Sequence, residues 1–91
     1  IETVCDKVIF MKEGVITYFG NLKSSFDNIN LFITENLIEP ISQAELMQKF
    51  KLIKTREENN QLIVRHFVAF SDAPYTPNIE DAFVYYTKYN K

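Results

Sequence analysis

The sequence predicts an α+β fold: a mostly antiparallel sheet of four to five strands, including two hairpins, with about three helices packed on one side. Three observations predict it. Val8–Met11 and Val15–Phe19 are apolar, β-branched and aromatic runs on either side of Lys12-Glu13-Gly14, and a second pair of strand-like runs flanks Asn59-Asn60. Helix-start signals stand at Asn21, Ser42 and Thr76. The 91 residues permit one modest core, and 46% hydrophobic with 24% charged residues excludes a disordered or low-complexity chain.

Val8, Ile9, Phe10 and Met11 are an unbroken apolar run, which predicts a strand covered on both faces. Gly14 supplies the positive φ of a tight reversal, so Val4–Gly20 reads as a hairpin with buried flanks. Asn21 is a favoured N-cap, and Leu22, Phe26 and Ile29 follow at spacings of four and three, predicting a helix over 22–28. The stretch 30–37 fits a helical face or a strand, and Asn28 and Asn30 favour the strand.

In Pro40–Leu46, Ser42 as N-cap and Glu45 three residues later form a capping box, with Ile41 and Leu46 as a hydrophobic staple. This predicts a helix over 43–51 that turns Leu46, Met47 and Phe50 inward. Asn59-Asn60 then suits a two-residue hairpin turn. That turn places Lys54 opposite Arg65, a like-charge pair that demands either a wet face or a register one residue different. Thr76 as N-cap, Pro77 at the first helical position and Glu80-Asp81 in the first turn predict a last helix near 78–89, with Ile79, Ala82, Phe83 and Tyr86 on its core face. Lys88 and Lys91 suit its C-terminal end.

Few residues carry chemistry. With only Gly14 and Gly20 present no phosphate loop can be built, so the chain has no nucleotide site. A net charge of −2 and ten scattered basic residues argue against nucleic acid. Cys5, the one cysteine, excludes an internal disulfide and reads as a buried thiol, which fits an intracellular compartment. His66 has no second His or Cys near it in sequence and reads as a packed histidine. Glu57-Glu58 reads as a solvated hairpin tip, and part of the tyrosine group at 75, 85, 86 and 89 as exposed.

The segment Cys-Asp-Lys-Val-Ile-Phe-Met-Lys-Glu-Gly-Val-Ile-Thr-Tyr-Phe-Gly, Cys5–Gly20, resembles the end of the ATP-binding subunit of ABC transporters. The tail Thr-Pro-Asn-Ile-Glu-Asp-Ala-Phe-Val-Tyr-Tyr, Thr76–Tyr86, is similar to the closing helix of such subunits in drug, lipid or polysaccharide exporters. The middle matches in pattern only. The resemblance implies that Ile1 lies a few residues after the switch histidine, that Glu2–Cys5 is the tail of a helix, and that the chain is a piece of a longer subunit. Residues 1–20 would then end the ATPase core and 21–91 form a C-terminal accessory domain. The phosphate loop, signature motif, Mg-binding and base residues would precede Ile1.

On this reading the chain is non-catalytic and holds no cofactor or metal, while ATP and Mg belong to the parent chain. Its implied partners are the rest of the ATP-binding subunit, the membrane permease and a second copy, at the cytoplasmic face of the membrane. The expected self-association surface is Val8, Ile9, Phe10, Met11, Val15, Ile16 and Tyr18, and the expected contact with the ATPase core is Glu80 and Asp81. A reading from another class is a free-standing small-ligand sensor or dimerisation module of ferredoxin-like shape.

Overall fold

The computed structural model describes residues 2–4 and 6–89. Its described residues form an α+β fold with six strands in two three-stranded antiparallel sheets. The chain divides into two compact units, one reaching to Asn30 and resuming at Pro77, the other spanning Leu31–Thr76. This differs from a boundary at residue 20. The helix that follows the first hairpin and the helix that ends the chain both belong with the hairpin, so the middle of the chain is the separate unit.

The first unit holds β1 (Glu2–Val4), β2 (Lys7–Lys12) and β3 (Val15–Asn21) in the order β1-β2-β3. Glu2–Val4 is thus a strand and not a helix tail, paired with Lys7–Ile9. Its β-branched Thr3 and Val4 favour that state. Glu13 (φ 53°) and Gly14 (φ 80°) both take the left-handed region, the pattern of a tight hairpin turn. The pairing slips between Phe10 and Met11, leaving Thr17 as a bulge residue whose Oγ1 donates to the Phe10 carbonyl at 3.2 Å.

Helix α1 (Leu22–Asp27) is capped by Asn21, whose side-chain oxygen accepts from the amides of Lys23 at 2.8 Å and Ser24 at 3.3 Å. The last helix begins two residues later than the Thr76 reading, with α3 covering Ile79–Val84 and a π-helical segment Tyr85–Tyr89 continuing it. Asn78 is the cap. Its side chain accepts from the Asp81 amide at 2.9 Å while the Asp81 carboxylate accepts from the Asn78 amide at 2.9 Å, a reciprocal box that satisfies two donors where Thr76 would satisfy one. Where the helix widens, Thr87 Oγ1 donates to the Phe83 carbonyl at 2.7 Å. Lys91 and Cys5 lie outside the described residues.

The core of this unit is aromatic. Phe10 is fully buried, with Tyr18, Phe83 and Tyr86 at ring-centroid distances of 5.7, 5.9 and 5.9 Å. Tyr86 packs on Tyr18 at 4.6 Å and donates to the Ser25 carbonyl at 2.8 Å. Burial, and after it the neighbouring Tyr18 and Tyr85 phenols, push the Tyr86 hydroxyl up to about 12. Tyr85 and Tyr86 are therefore core residues, and Tyr75 is the exposed member of the tyrosine group.

The second unit holds β4 (Phe32–Ile38), α2 (Gln43–Lys49), β5 (Lys51–Glu58) and β6 (Gln61–Val68), with β6 central in the order β4-β6-β5. The stretch after Asn30 is indeed a strand. Asn59 (φ 52°) and Asn60 (φ 64°) form the predicted turn. Ser42 caps α2, accepting from the Glu45 amide at 3.2 Å, and Ile41 packs against the cluster of Leu46, Leu62 and Val64. The return half of the expected box takes another form: Ser42 Oγ donates to Glu45 Oε1 at 3.5 Å. Leu46 is buried with Leu62 and Val64, Phe50 is half-buried against them, and Met47 points outward instead of into the core.

The observed cap residue and the one expected from the sequence give opposite expectations. Asn78→Ala should lower stability by about 1 kcal/mol, whereas Thr76→Ala should leave the urea midpoint unchanged. Equal losses would restore Thr76 as the cap.

Candidate functional site

Two surfaces stand out, one in each unit. In the first unit the alternation of β2 and β3 separates the residues expected to form a self-association surface. Val8 and Phe10 are fully buried and Tyr18 is half-buried, its hydroxyl donating to the Asn21 carbonyl at 2.9 Å, so these three belong to the interior face. The apolar run predicts cover on both faces of β2, but the structure covers only the face of Val8 and Phe10.

The opposite face carries Ile9, Met11 and Ile16, with Val15 beside the turn. Met11 is 40% exposed, Val15 63%, Ile16 56% and Phe19 62%. Phe19 is directly opposite Ile9, and Ile16 opposite Met11, which makes two apolar cross-strand pairs on one open sheet face. Sequence reasoning missed Phe19 as a surface residue; the bulge at Thr17 was the hidden variable, because it resets the alternation along β3. β3 is also an edge strand of its sheet.

Glu80 and Asp81 do not share a role. Asp81 is fully buried in the cap of α3, while Glu80 is exposed in the first helical turn.

In the second unit, β6 brings together the polar residues that face the sheet. Lys54 does stand opposite Arg65, and the like charges are reconciled from the other side. Glu35 on β4 accepts from Arg65 Nη1 at 3.0 Å and approaches Arg56 Nη2 at 3.6 Å. The Arg65 guanidinium also lies 5.3 Å from the Tyr75 ring centre. Glu58 pairs with Arg56 at 3.7 Å, and Glu57 is exposed beside it. Among the described residues no group of three or more His, Cys, Asp or Glu side chains converges to hold a metal.

His66 is buried on the α2 side of β6. Its Nε2 lies 2.8 Å from Asn36 Oδ1, its Nδ1 3.3 Å from the Phe67 carbonyl, and its ring 4.6 Å from that of Phe50. A protonated ring donates to both oxygens; a neutral ring satisfies both partners when Asn36 turns its amide nitrogen toward Nε2. Burial pulls the ring's pKa below 6.5, opposed in smaller part by the Phe67 carbonyl. Next to it opens a cavity of about 370 Å³ whose walls include Phe50, His66 and Phe67, with Lys49 and Lys51 beside them. No spacing in the sequence marked this cavity, because it forms where three elements end.

Compared with protein-family models, curated proteins and solved structures, the chain matches none. Among the described residues no helix is long and apolar enough to cross a membrane.

The histidine carries a pH expectation with a definite sign. Because the folded-state pKa is lowered, the unfolded chain takes up the proton first, and stability is lost as pH falls through 6.5 toward the folded value. His66 is the one histidine of the chain, so it alone among the side chains ordinarily titrates there. Urea midpoints should fall from about pH 7 to about pH 5, and His66→Gln should flatten that slope. A slope unchanged in the variant would contradict the assignment.

Proposed function

We propose that the chain is the C-terminal part of the ATP-binding subunit of an ABC exporter, non-catalytic by itself, which links its ATPase core to export through the permease. The observation that carries this reading is where the two resembling segments lie. Cys5–Gly20 and Thr76–Tyr86 stand at opposite ends of the sequence, yet the hairpin and the closing helix pack into one unit through Phe10, Phe83 and Tyr86. That packing is what one subunit carrying both segments would have, with the middle unit lying between them as an insertion. The division supports a refined boundary: the ATPase-core part comprises the hairpin, α1 and the last helix, and the accessory part is the middle unit.

In this reading the open face of Ile9, Met11, Ile16 and Phe19 meets other parts of the ATP-binding subunit, and in their absence a second copy of the chain. The subunit works at the cytoplasmic face of the membrane through its permease, and ATP and Mg bind upstream of Ile1. Sequencing the gene upstream of the Ile1 codon tests the proposal directly. A phosphate loop followed by a switch histidine shortly before Ile1 supports it, and an upstream sequence with neither contradicts it.

Two solution measurements follow for the chain as it stands. Titration calorimetry with Mg-ATP should show dilution heat only, and micromolar binding would reveal a nucleotide site. Light scattering should show a dimer that Ile16→Lys with Phe19→Lys converts to monomer. A wild-type chain that stays monomeric at high micromolar concentration would contradict the exposed-face assignment.

A further inference from the structure

The open face of the first unit has a direction as well as an apolar centre. Alternation along β2 turns Lys7, Ile9 and Met11 to this face, because Val8 and Phe10 between them are fully buried. Lys7 stands at one end of the strand and Glu13 at the hairpin tip beyond the other, both exposed and roughly 20 Å apart along the extended chain. The charges next to them are engaged elsewhere. Asp6 accepts from Asn21 Nδ2 at 3.3 Å, and Lys12 Nζ donates to the Thr87 carbonyl at 3.1 Å. The face is thus basic at one end, acidic at the other and apolar between. We infer that two copies of the chain pack these faces together with their strands antiparallel, Lys7 of each copy meeting the partner's Glu13.

Two-fold symmetry offers two ways to lay one aligned sheet on its copy. An axis along the strands brings the two hairpin tips to the same end, Glu13 with Glu13 and Lys7 with Lys7, and like charges repel. An axis across the strands reverses one sheet over the other and pairs opposite charges at both ends. It also lays β2 on β2 and β3 on β3, so that Ile9 meets the partner's Met11 and Phe19 the partner's Ile16. A three-stranded face of this length is smaller than the roughly 800 Å² that each partner gives to a standard interface, so the dimer is weak. The charged ends therefore set its orientation, and the apolar centre supplies most of its affinity. The inference rests on the open face being an association surface, as proposed for the chain on its own.

The test compares the full chain with its Lys7→Glu, Glu13→Lys and doubly reversed variants, with dimer dissociation constants from sedimentation equilibrium. Each single reversal should weaken the dimer roughly tenfold, and the double reversal should return it to near the parent's value, because both end pairs are then remade with the signs exchanged. A second readout needs no variant. Met11 on the open face and Met47 on α2 are both exposed, and hydrogen peroxide converts either thioether to the sulfoxide with water as the other product. Oxidation of Met11 should slow as rising chain concentration carries it into the dimer, while Met47 keeps its rate. Single reversals that dimerise like the parent, or a double reversal that stays weakened, overturn the antiparallel arrangement while the surface assignment stands. An unprotected Met11 in a dimeric chain overturns the face-to-face contact, and a parent that stays monomeric overturns the association reading beneath it.

Discussion

The first unit depends on one side chain, Phe10. It contributes a fully buried ring from the middle of β2, and three other rings meet it, one from the neighbouring strand and two from the end of the chain. Rings at these separations add edge-to-face and offset contacts to the gain from leaving water, and truncating such a core Phe costs about 3–5 kcal/mol in proteins generally. The other features of the unit serve the same cluster. The Asn78-Asp81 box fixes where the last helix starts, the π-helical segment brings Tyr85 and Tyr86 both inside, and Tyr86 reaches the Ser25 carbonyl on α1. Lys12 Nζ, donating to the Thr87 carbonyl at 3.1 Å, adds a second tie between hairpin and helix.

The second unit rests on a different constraint, the central position of β6. β6 is hydrogen-bonded to a neighbour on both edges, and its residues 64–67 are all buried. Its two polar members are therefore held by the flanking strands: Arg65 by Glu35, His66 by Asn36. An Arg at the wrong step would be buried without its carboxylate, a cost that disfavours a slipped register. The same packing leaves the end of the sheet unfilled beyond Lys51, which is where the cavity opens.

Local chemistry was legible in the sequence because it is decided within a few residues. Asn21, Ser42, Glu13-Gly14 and Asn59-Asn60 act where the reading placed them. Thr76 misled because Thr76-Pro77 and Asn78-Asp81 are competing start signals two residues apart, and only the folded chain decides between a single and a reciprocal cap. Pairing between strands is non-local and stayed hidden. Nothing in Phe32–Ile38 says that it joins Gln61–Val68 rather than the first hairpin, so one sheet was expected where there are two. The candidate surfaces were half legible for the same reason: of the expected set Ile9, Met11, Val15 and Ile16 lie on the open side, Val8, Phe10 and Tyr18 lie on the interior face, and Phe19 and the cavity were not singled out.

The exporter proposal and the fold share a single physical premise, that the two ends of the chain form one cooperative unit around Phe10. Native-state hydrogen exchange on a Phe10→Leu variant tests it most directly. The amides of Tyr85–Thr87 should lose protection together with those of Val8–Phe10, by the same factor. Loss confined to the hairpin, with the last helix as protected as before, would contradict the account.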